Sequence, residues 1–563
     1  MTADLAQVDN SPAQQDRTDI LVCVLGTLFL IQCWRFLIKP GHTWIKQDYS
    51  RSDAAISEYA SVRDIIVKRA TSALNLVYSS LHKFNSMSEP STRRSLLSRL
   101  GLLNPQTGWP GRPLIFILCL ITAIVVEAWF RPDLSLSREA SRALFILVLA
   151  VLLWVTEVVP AFAVGILIIA LNVALLGKPA QAGSQWEQHV QVIGHPLIWL
   201  FFGGFVLAAG MERCGLDRRM ALGLLRRVGG RYRNVMLGTM LATFVLSMFM
   251  SNTATTAMML AVIAPVLHQF GTGSQAGKGL LLGIAVAANL GGMGSLIGTP
   301  PNAIAVAALG KLDPPQVITF LDWMVIGLPP AMGSMLLIWA LLLWIYPDPG
   351  YEIQLDTPAS DSELSEPATW QFLVVSGSLM TTIGLWLTSS WHGIPTAAVS
   401  FLPIVILTST GVLSAKDIRG LNYDVLFLMA GGIALGNAVT TTGLSNWIVA
   451  KLPVEFLGPV SLTFLLAYVT VMLSNIMSNT AASNILIPLA VTMAAGSETT
   501  VAIGVAIAAS SAMCLPVATP PNAMVFATGC IKTWDLVRVG LVVGLITPAI
   551  GLIWLAFCLK LIY

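Results

Sequence analysis

From Pro113 to the C-terminus the sequence passes through one apolar stretch of membrane-spanning length after another. No other feature constrains the fold as strongly. In hydrocarbon every backbone N–H and C=O must find its partner within the protein, so such stretches form α-helices. The expected spans are 113–130, 141–156, 159–177, 195–211, 279–297, 322–346, 370–391, 394–412, 424–442, 500–515 and 538–562, about 11 in all. Of the 563 residues, 55% are hydrophobic and 11% charged, against about a quarter charged in soluble domains. These values exclude a soluble multidomain enzyme, a disordered chain and a secreted disulfide scaffold.

The scarce charges are unevenly placed. Residues 1–112 hold 22 charged residues and the remaining 451 hold 39, so a polar N-terminal extension precedes the membrane domain. Within the extension, Ile20–Ile38 reads as either an extra span or an interfacial helix, and Val67–Phe84 has amphipathic character. The segment 347–368 is acidic and Pro-containing and reads as a linker between a first half, 113–346, and a second half, 369–563. A net charge of +3 without a long basic block gives nucleic-acid binding no electrostatic support. The seven cysteines form no CxxC pair, and the six histidines show no metal-ligand spacing.

The two halves repeat. Gly203-Gly204 and the later Gly215 pair with Gly431-Gly432 and Gly443 at an offset of 228. Ser247-xxx-Ser251-Asn252-Thr253 pairs with Ser474-xxx-Ser478-Asn479-Thr480 at 227, and Thr299-Pro300-Pro301-Asn302 with Thr519-Pro520-Pro521-Asn522 at 220. Three motifs in one order at nearly constant offset argue for duplication. After Gly210 come seven arginines, at 213, 218, 219, 226, 227, 231 and 233, whereas the matching loop after Gly443 has only Lys451. Cations favour the cytoplasmic side, so the two loops are expected on opposite faces and the repeats inverted.

The polar triplets sit where a simple helix has no place for them. A continuous helix over Val235–Leu267 would be about 50 Å long, against a hydrocarbon core of about 30 Å, while each arm alone reaches only about 24 Å. A re-entrant hairpin with Ser-Asn-Thr at its tip resolves this, and 461–496 repeats the pattern around Ser478-Asn479-Thr480. The double prolines, preceded in the first half by glycines 291, 292, 294 and 298, are expected to break a helix in mid-membrane. Carbonyls freed there suit a cation, and a half-helix N-terminus suits an anion. Carboxylates are rare in the spans. Glu127 and Glu157 are the main ones, and Glu157, next to a Pro160 break, reads as a helix-end contact or an interfacial residue. No acidic group or His lies beside the repeated motifs apart from His268, so hydroxyl, amide and carbonyl oxygens point to Na⁺ rather than H⁺. The same scarcity leaves an intramembrane enzyme without a nucleophile–base pair or a metal cluster.

The stretches WLFFGGFVLAAGMERCGLDRRMAL, MLATFVLSMFMSNTATTAMML, LGIAVAANLGGMGSLIGTPPN and CLPVATPPNAMVFATG resemble the divalent-anion/sodium symporter family, which carries di- and tricarboxylates or sulfate. The resemblance covers 113–563 and leaves residues 1–112 without a family reading. It implies an all-α polytopic membrane protein of two inverted repeats, each with a re-entrant helical hairpin and an unwound transmembrane helix. It also implies a homodimer in the inner membrane of the cell, working by an elevator movement of a transport domain against a scaffold. By motif position, one Na⁺ site uses Ser247, Ser251, Asn252 and the backbone near Gly298. A second uses Ser474, Asn479 and the backbone near Ala518. The substrate carboxylates meet Asn252, Thr253, Asn479 and Thr480, with Thr299, Pro300, Thr519 and Pro520 close by. Ser474 stands where some relatives have Thr, so the hydroxyl is kept. Trp386 and His392-Gly393 also look familial, in a scaffold role. Two intact Ser-Asn-Thr motifs favour Na⁺-coupled uptake, with two or more ions, over a Na⁺-independent exchanger. The motifs leave C4-dicarboxylate, citrate and sulfate open as substrates. The lack of an extra basic residue near the tips favours a C4-dicarboxylate such as succinate, malate or fumarate.

Overall fold

The computed structural model describes residues 111–562 apart from 132, 134, 178–185, 272, 348–349, 351, 354–368, 452–456 and 495. The expected features at Ile20–Ile38 and Val67–Phe84, and most of the 347–368 linker, lie outside the described residues. From Cys119 onward the chain forms one compact unit. Among the described residues it is helical throughout, and nine helices are long and apolar enough to cross a membrane.

The first half contains α1 (Arg112–Phe130), α2 (Arg138–Thr156), α3 (Ala161–Leu171), α4 (Pro196–Cys214), α5 (Leu216–Val228), α6 (Tyr232–Ser247), α7 (Asn252–Phe270), α8 (Gln275–Met293), α9 (Pro300–Leu309) and α10 (Phe320–Ile345). The second contains α11 (Thr369–Leu387), α12 (Phe401–Ser409), α13 (Tyr423–Thr441), α14 (Leu444–Lys451), α15 (Pro459–Ser474), α16 (Asn479–Met493), α17 (Glu498–Ser510), α18 (Pro520–Ala527) and α19 (Thr533–Ile562).

Eight of the expected spans correspond to long apolar helices, whereas 159–177, 394–412 and 500–515 fall on shorter ones. The helix in 159–177 passes into a π-helical turn at Asn172–Leu176. That in 394–412 is interrupted at Ser400 between Thr396–Val399 and α12, and α17 stops at Ser510 ahead of its double proline. One expectation is corrected. The second arm of the first hairpin, α7, has 19 residues and by length and composition alone is long enough to cross. It is longer than a 24 Å arm because the helix continues through Pro265 to Gly271, which ends it at φ 73. Glu157 is a helix end, capping α2 with φ 48.

The paired glycines bring helices into backbone contact. A Cβ at Gly203 would lie 2.5 Å from the Ser400 carbonyl oxygen, and one at Gly431 would lie 2.1 Å from Gly165 Cα. Residues this small let helices approach without side chains between them, the usual device where apolar burial does not drive helix association. Trp386, fully buried, donates from Nε1 to Thr396 O at 3.1 Å and stacks on Phe320 at 5.1 Å. At the N-terminal end of α8, Lys278 pairs with Asp535 on α19 at 3.4 Å. The Tyr346 hydroxyl, just past α10, donates to the same carboxylate at 3.3 Å.

Candidate functional site

Each Ser-Asn-Thr motif begins a helix. Ser251 and Ser478 have extended backbone, and their hydroxyls accept from Ala254 N and Ala481 N, both at 3.2 Å. A Ser at this position satisfies one of the unpaired N–H groups of the first turn, so the triplet itself explains why α7 and α16 start there. Four residues, 248–251, separate α6 from α7, and 475–478 separate α15 from α16. Both arms of the first hairpin pack on α8 and both arms of the second on α17.

At each break a serine one turn back closes the tip. The buried Ser247 hydroxyl lies 2.7 Å from Asn252 Oδ1 and 2.7 Å from Ala288 O. The buried Ser474 hydroxyl lies 2.7 Å from Asn479 Oδ1 and 3.1 Å from Ala509 O. A serine has one proton to donate, so in each cluster one hydroxyl proton faces two oxygen acceptors. The same three-part arrangement in both halves is the geometric counterpart of the sequence repeat.

The Thr-Pro-Pro-Asn motifs restart helices that α8 and α17 abandon. Thr299 and Thr519 are extended, and the prolines follow in the first turn of α9 and α18, where their missing N–H costs nothing. The asparagine of each motif then binds the unwound segment behind it. Asn302 Nδ2 donates to Gly292 O at 3.0 Å and Ser295 O at 2.7 Å. Asn522 Nδ2 donates to Met513 O at 2.8 Å and Leu515 O at 3.0 Å. Glycine is required in the first loop: a Cβ at Gly298 would sit 2.4 Å from Gly292 O, and one at Gly292 would sit 2.7 Å from Asn252 Oδ1 and 3.0 Å from Gly298 O. The Asn252 amide and the Gly298 carbonyl, expected together from the sequence, therefore both border Gly292.

The halves interlock crosswise. α9 packs against α16 and α17, and α18 against α7 and α8, so each double-proline helix sits on the other half's hairpin. The link is direct where Asn289 Nδ2 on α8 donates to Thr519 Oγ1 at 3.1 Å. Asn289, Asn302 and Asn522 are all buried, and their Oδ1 atoms have no partner among the described residues. The region thus holds buried amide oxygens that no donor satisfies, as a cation would need.

The expected substrate residues differ in exposure. Thr253 is exposed while Thr480 is buried, and Thr299 and Thr519 are buried. The first tip borders a cavity of about 560 Å³ lined by Ser251, Ala254, Glu212, Arg213, Lys416 and Asp417 among others, so charged side chains of both signs stand near this tip, where the sequence led us to expect no extra basic residue. No hydrogen bond joins the two tips to each other among the described residues. Asn289, Ser295 and Asn475 were not expected in the site. Ser295 Oγ accepts from Gly298 N at 3.1 Å and donates to Met248 O, and Asn475 Oδ1 accepts from Cys514 N at 2.7 Å. The available signal was an asparagine inside an apolar run, which is costly unless paired.

The family profile described as citrate transporter matches residues 151–508, well over half of the chain. The sodium-dependent dicarboxylate transporter SdcS of Staphylococcus saprophyticus is 29% identical over 479 residues, spanning 77% of this chain and 88% of the relative. SdcS of Staphylococcus aureus strain RF122 is 28% identical over 479 residues, with 78% and 88% covered. Among solved structures, the YdaH transporter of Alcanivorax borkumensis aligns with a TM-score of 0.47 and 15% identity, covering 71% of this chain and 99% of that one. MtrF of Neisseria gonorrhoeae aligns with a TM-score of 0.42 and 13% identity, covering 70% and 94%.

Proposed function

The chain belongs to the citrate transporter family of multi-pass membrane transporters and is not an enzyme, and we propose that it is a Na⁺-coupled symporter taking up C4-dicarboxylates such as succinate, malate and fumarate. The observation that carries this reading is the duplicated cluster of Ser hydroxyl, Asn Oδ1 and backbone carbonyl at each hairpin break, where one hydroxyl proton faces two oxygens. Neutral oxygens in this number favour a hard monovalent cation and offer no carboxylate to relay a proton.

In this reading Ser247, Ser251, Asn252 and the carbonyl of Gly298 hold one Na⁺, and Ser474, Asn479 and the backbone near Ala518 hold another. The dianion lies between the tips, meeting Asn252, Thr253, Asn479 and Thr480 with Thr299, Pro300, Thr519 and Pro520 at its sides. Bound cations then add positive charge beside the dianion, with Arg213 and Lys416 in the cavity at the first tip, so substrate binding depends on Na⁺. The unequal exposure of Thr253 and Thr480 supports a site open toward one membrane face only. The inverted repeat, the re-entrant hairpins, an elevator movement within a homodimer and residence in the inner membrane belong to the same proposal, on the strength of the family resemblance.

The test is uptake of labelled succinate into proteoliposomes with and without an inward Na⁺ gradient, with citrate, sulfate and 2-oxoglutarate as competitors in Na⁺ and in choline. Gradient-dependent uptake displaced best by C4-dicarboxylates is the expected outcome. Uptake indifferent to the gradient but accelerated by internal dicarboxylate makes the protein an exchanger.

A further inference from the structure

The short helix α5 carries an arrangement that shares no residue with the tip clusters. Its apolar side faces α6, and with α11 it borders a groove of about 490 Å³, a volume within the ordinary range for a small-molecule site. Leu216, Met220, Leu224, Val245, Leu246 and Phe372 form most of the wall, and apart from Arg219 and Arg227 every lining residue is apolar or glycine. The groove is open on the side of the bilayer-length helix α11, since Met220 is 41% and Val245 39% exposed and Leu373, beside Phe372, is 64% exposed.

The two arginines sit two helical turns apart along α5, and both are exposed. The Arg219 guanidinium carbon lies 5.3 Å from the centre of the Phe372 ring, which holds the charge at the edge of the apolar wall. No acidic residue lines the groove. Asp217, the one carboxylate on α5, is buried and accepts from Arg218 N at 2.7 Å.

An apolar trough beside a spanning helix, with cations and no anions at its rim, is complementary to one kind of molecule abundant at that depth. We propose that this groove binds an anionic phospholipid, with an acyl chain along Met220, Leu224, Val245 and Phe372 and the headgroup phosphate on Arg219 and Arg227. Arginine suits phosphate because its planar fork donates two parallel hydrogen bonds. A soluble phosphate would leave the apolar wall uncovered, and a zwitterionic lipid would bring an ammonium toward two guanidinium groups. Gly223, which lines the groove, has open space beyond its Cβ position, so a larger side chain there would enter the groove without meeting protein.

Native mass spectrometry of the full-length protein, relipidated with phosphatidylglycerol and phosphatidylcholine in equal amounts, tests this. Phosphatidylglycerol adducts are expected to exceed phosphatidylcholine adducts several-fold and to resist competition by inorganic phosphate. The double variant Arg219→Gln/Arg227→Gln should lose that preference, and Arg219→Lys/Arg227→Lys should largely keep it. Gly223→Leu should lose the bound lipid with both arginines in place, and a better helix former at a half-buried position with open space beyond its Cβ is not expected to lower the melting temperature. Equal retention of the two lipids, an unaffected glutamine variant, or a Gly223→Leu protein that still holds phosphatidylglycerol each overturns the site. The last of these assigns the preference to surface charge alone.

Discussion

Replacing Ser247 by alanine removes one oxygen and one proton from the first tip cluster and leaves the backbone of α6 undisturbed, since alanine is the better helix former. In the structure that hydroxyl stands 2.7 Å from both Asn252 Oδ1 and Ala288 O. If it only ties α6 to α8, its loss leaves a buried acceptor unpaired and costs about 1–3 kcal/mol of stability. If it also holds Na⁺, the lost oxygen costs about 1.5–3 kcal/mol of cation binding, taking the value for charge-assisted contacts. At about 1.4 kcal/mol per tenfold, the Na⁺ concentration for half-maximal uptake should rise roughly 10- to 100-fold, with the maximal rate recoverable at high Na⁺. The assay is a Na⁺ titration of labelled succinate uptake in proteoliposomes. A second readout, free of transport, is the rise of melting temperature with Na⁺ in detergent, which follows cation binding to the folded state. A Ser247→Ala protein that melts lower yet keeps the wild-type Na⁺ titration in both assays refutes the coordination and leaves the serine a packing contact. Ser474→Ala should behave alike if each half holds its own ion.

Gly298→Ala forces a Cβ to 2.4 Å from the Gly292 carbonyl oxygen and 2.8 Å from its Cα, a backbone clash that no rotamer relieves. We expect uptake below a tenth of wild type, while Gly310→Ala, whose Cβ meets nothing nearer than 3.4 Å, transports normally. Thr519→Val removes the oxygen that accepts from Asn289 Nδ2 and leaves that amide only Ala285 O, at 3.0 Å. A lower melting temperature, equivalent to about 1–3 kcal/mol, and slower turnover should follow. In a background without native cysteines, Thr253→Cys should react with a hydrophilic maleimide at least several-fold faster than Thr480→Cys, and equal rates would contradict the unequal exposure of the tips. Asp133 lies between α1 and α2, 2.7 Å from Lys451. Burial raises its carboxyl pKa, but Lys451 and the Ser135 hydroxyl outweigh this and hold it at about 2. Its stabilisation is therefore present above the ordinary carboxylate value and lost as pH falls toward 2. With Lys451 half-exposed, it amounts to under about 1 kcal/mol. Asp133→Asn should lower the melting temperature slightly at pH 7 and by less near pH 2, where about half of the carboxylate is protonated.

What the sequence made legible is what local chemistry decides. Serine as a helix cap and proline in the first helical turn act within one turn of themselves, so the starts of α7, α9, α16 and α18 fall at the motifs. That Asn252 and the Gly298 loop belong together was implied by the family resemblance, and in the structure both border Gly292. The crosswise docking of α9 on the second hairpin and α18 on the first has no periodicity to reveal it, because its partners lie some two hundred residues apart. Asn289 shows the same limit: its apolar surroundings mark it as costly, but nothing local names Thr519 as its partner. The difference between Thr253 and Thr480 is more instructive. Two copies of one triplet have the same caps and the same propensities, so sequence alone predicts them equivalent. The structure exposes one and buries the other. That asymmetry arises from how the two hairpins sit against the rest of the protein. It is also the property a transporter must be able to exchange between its halves if its site is to open to one side at a time.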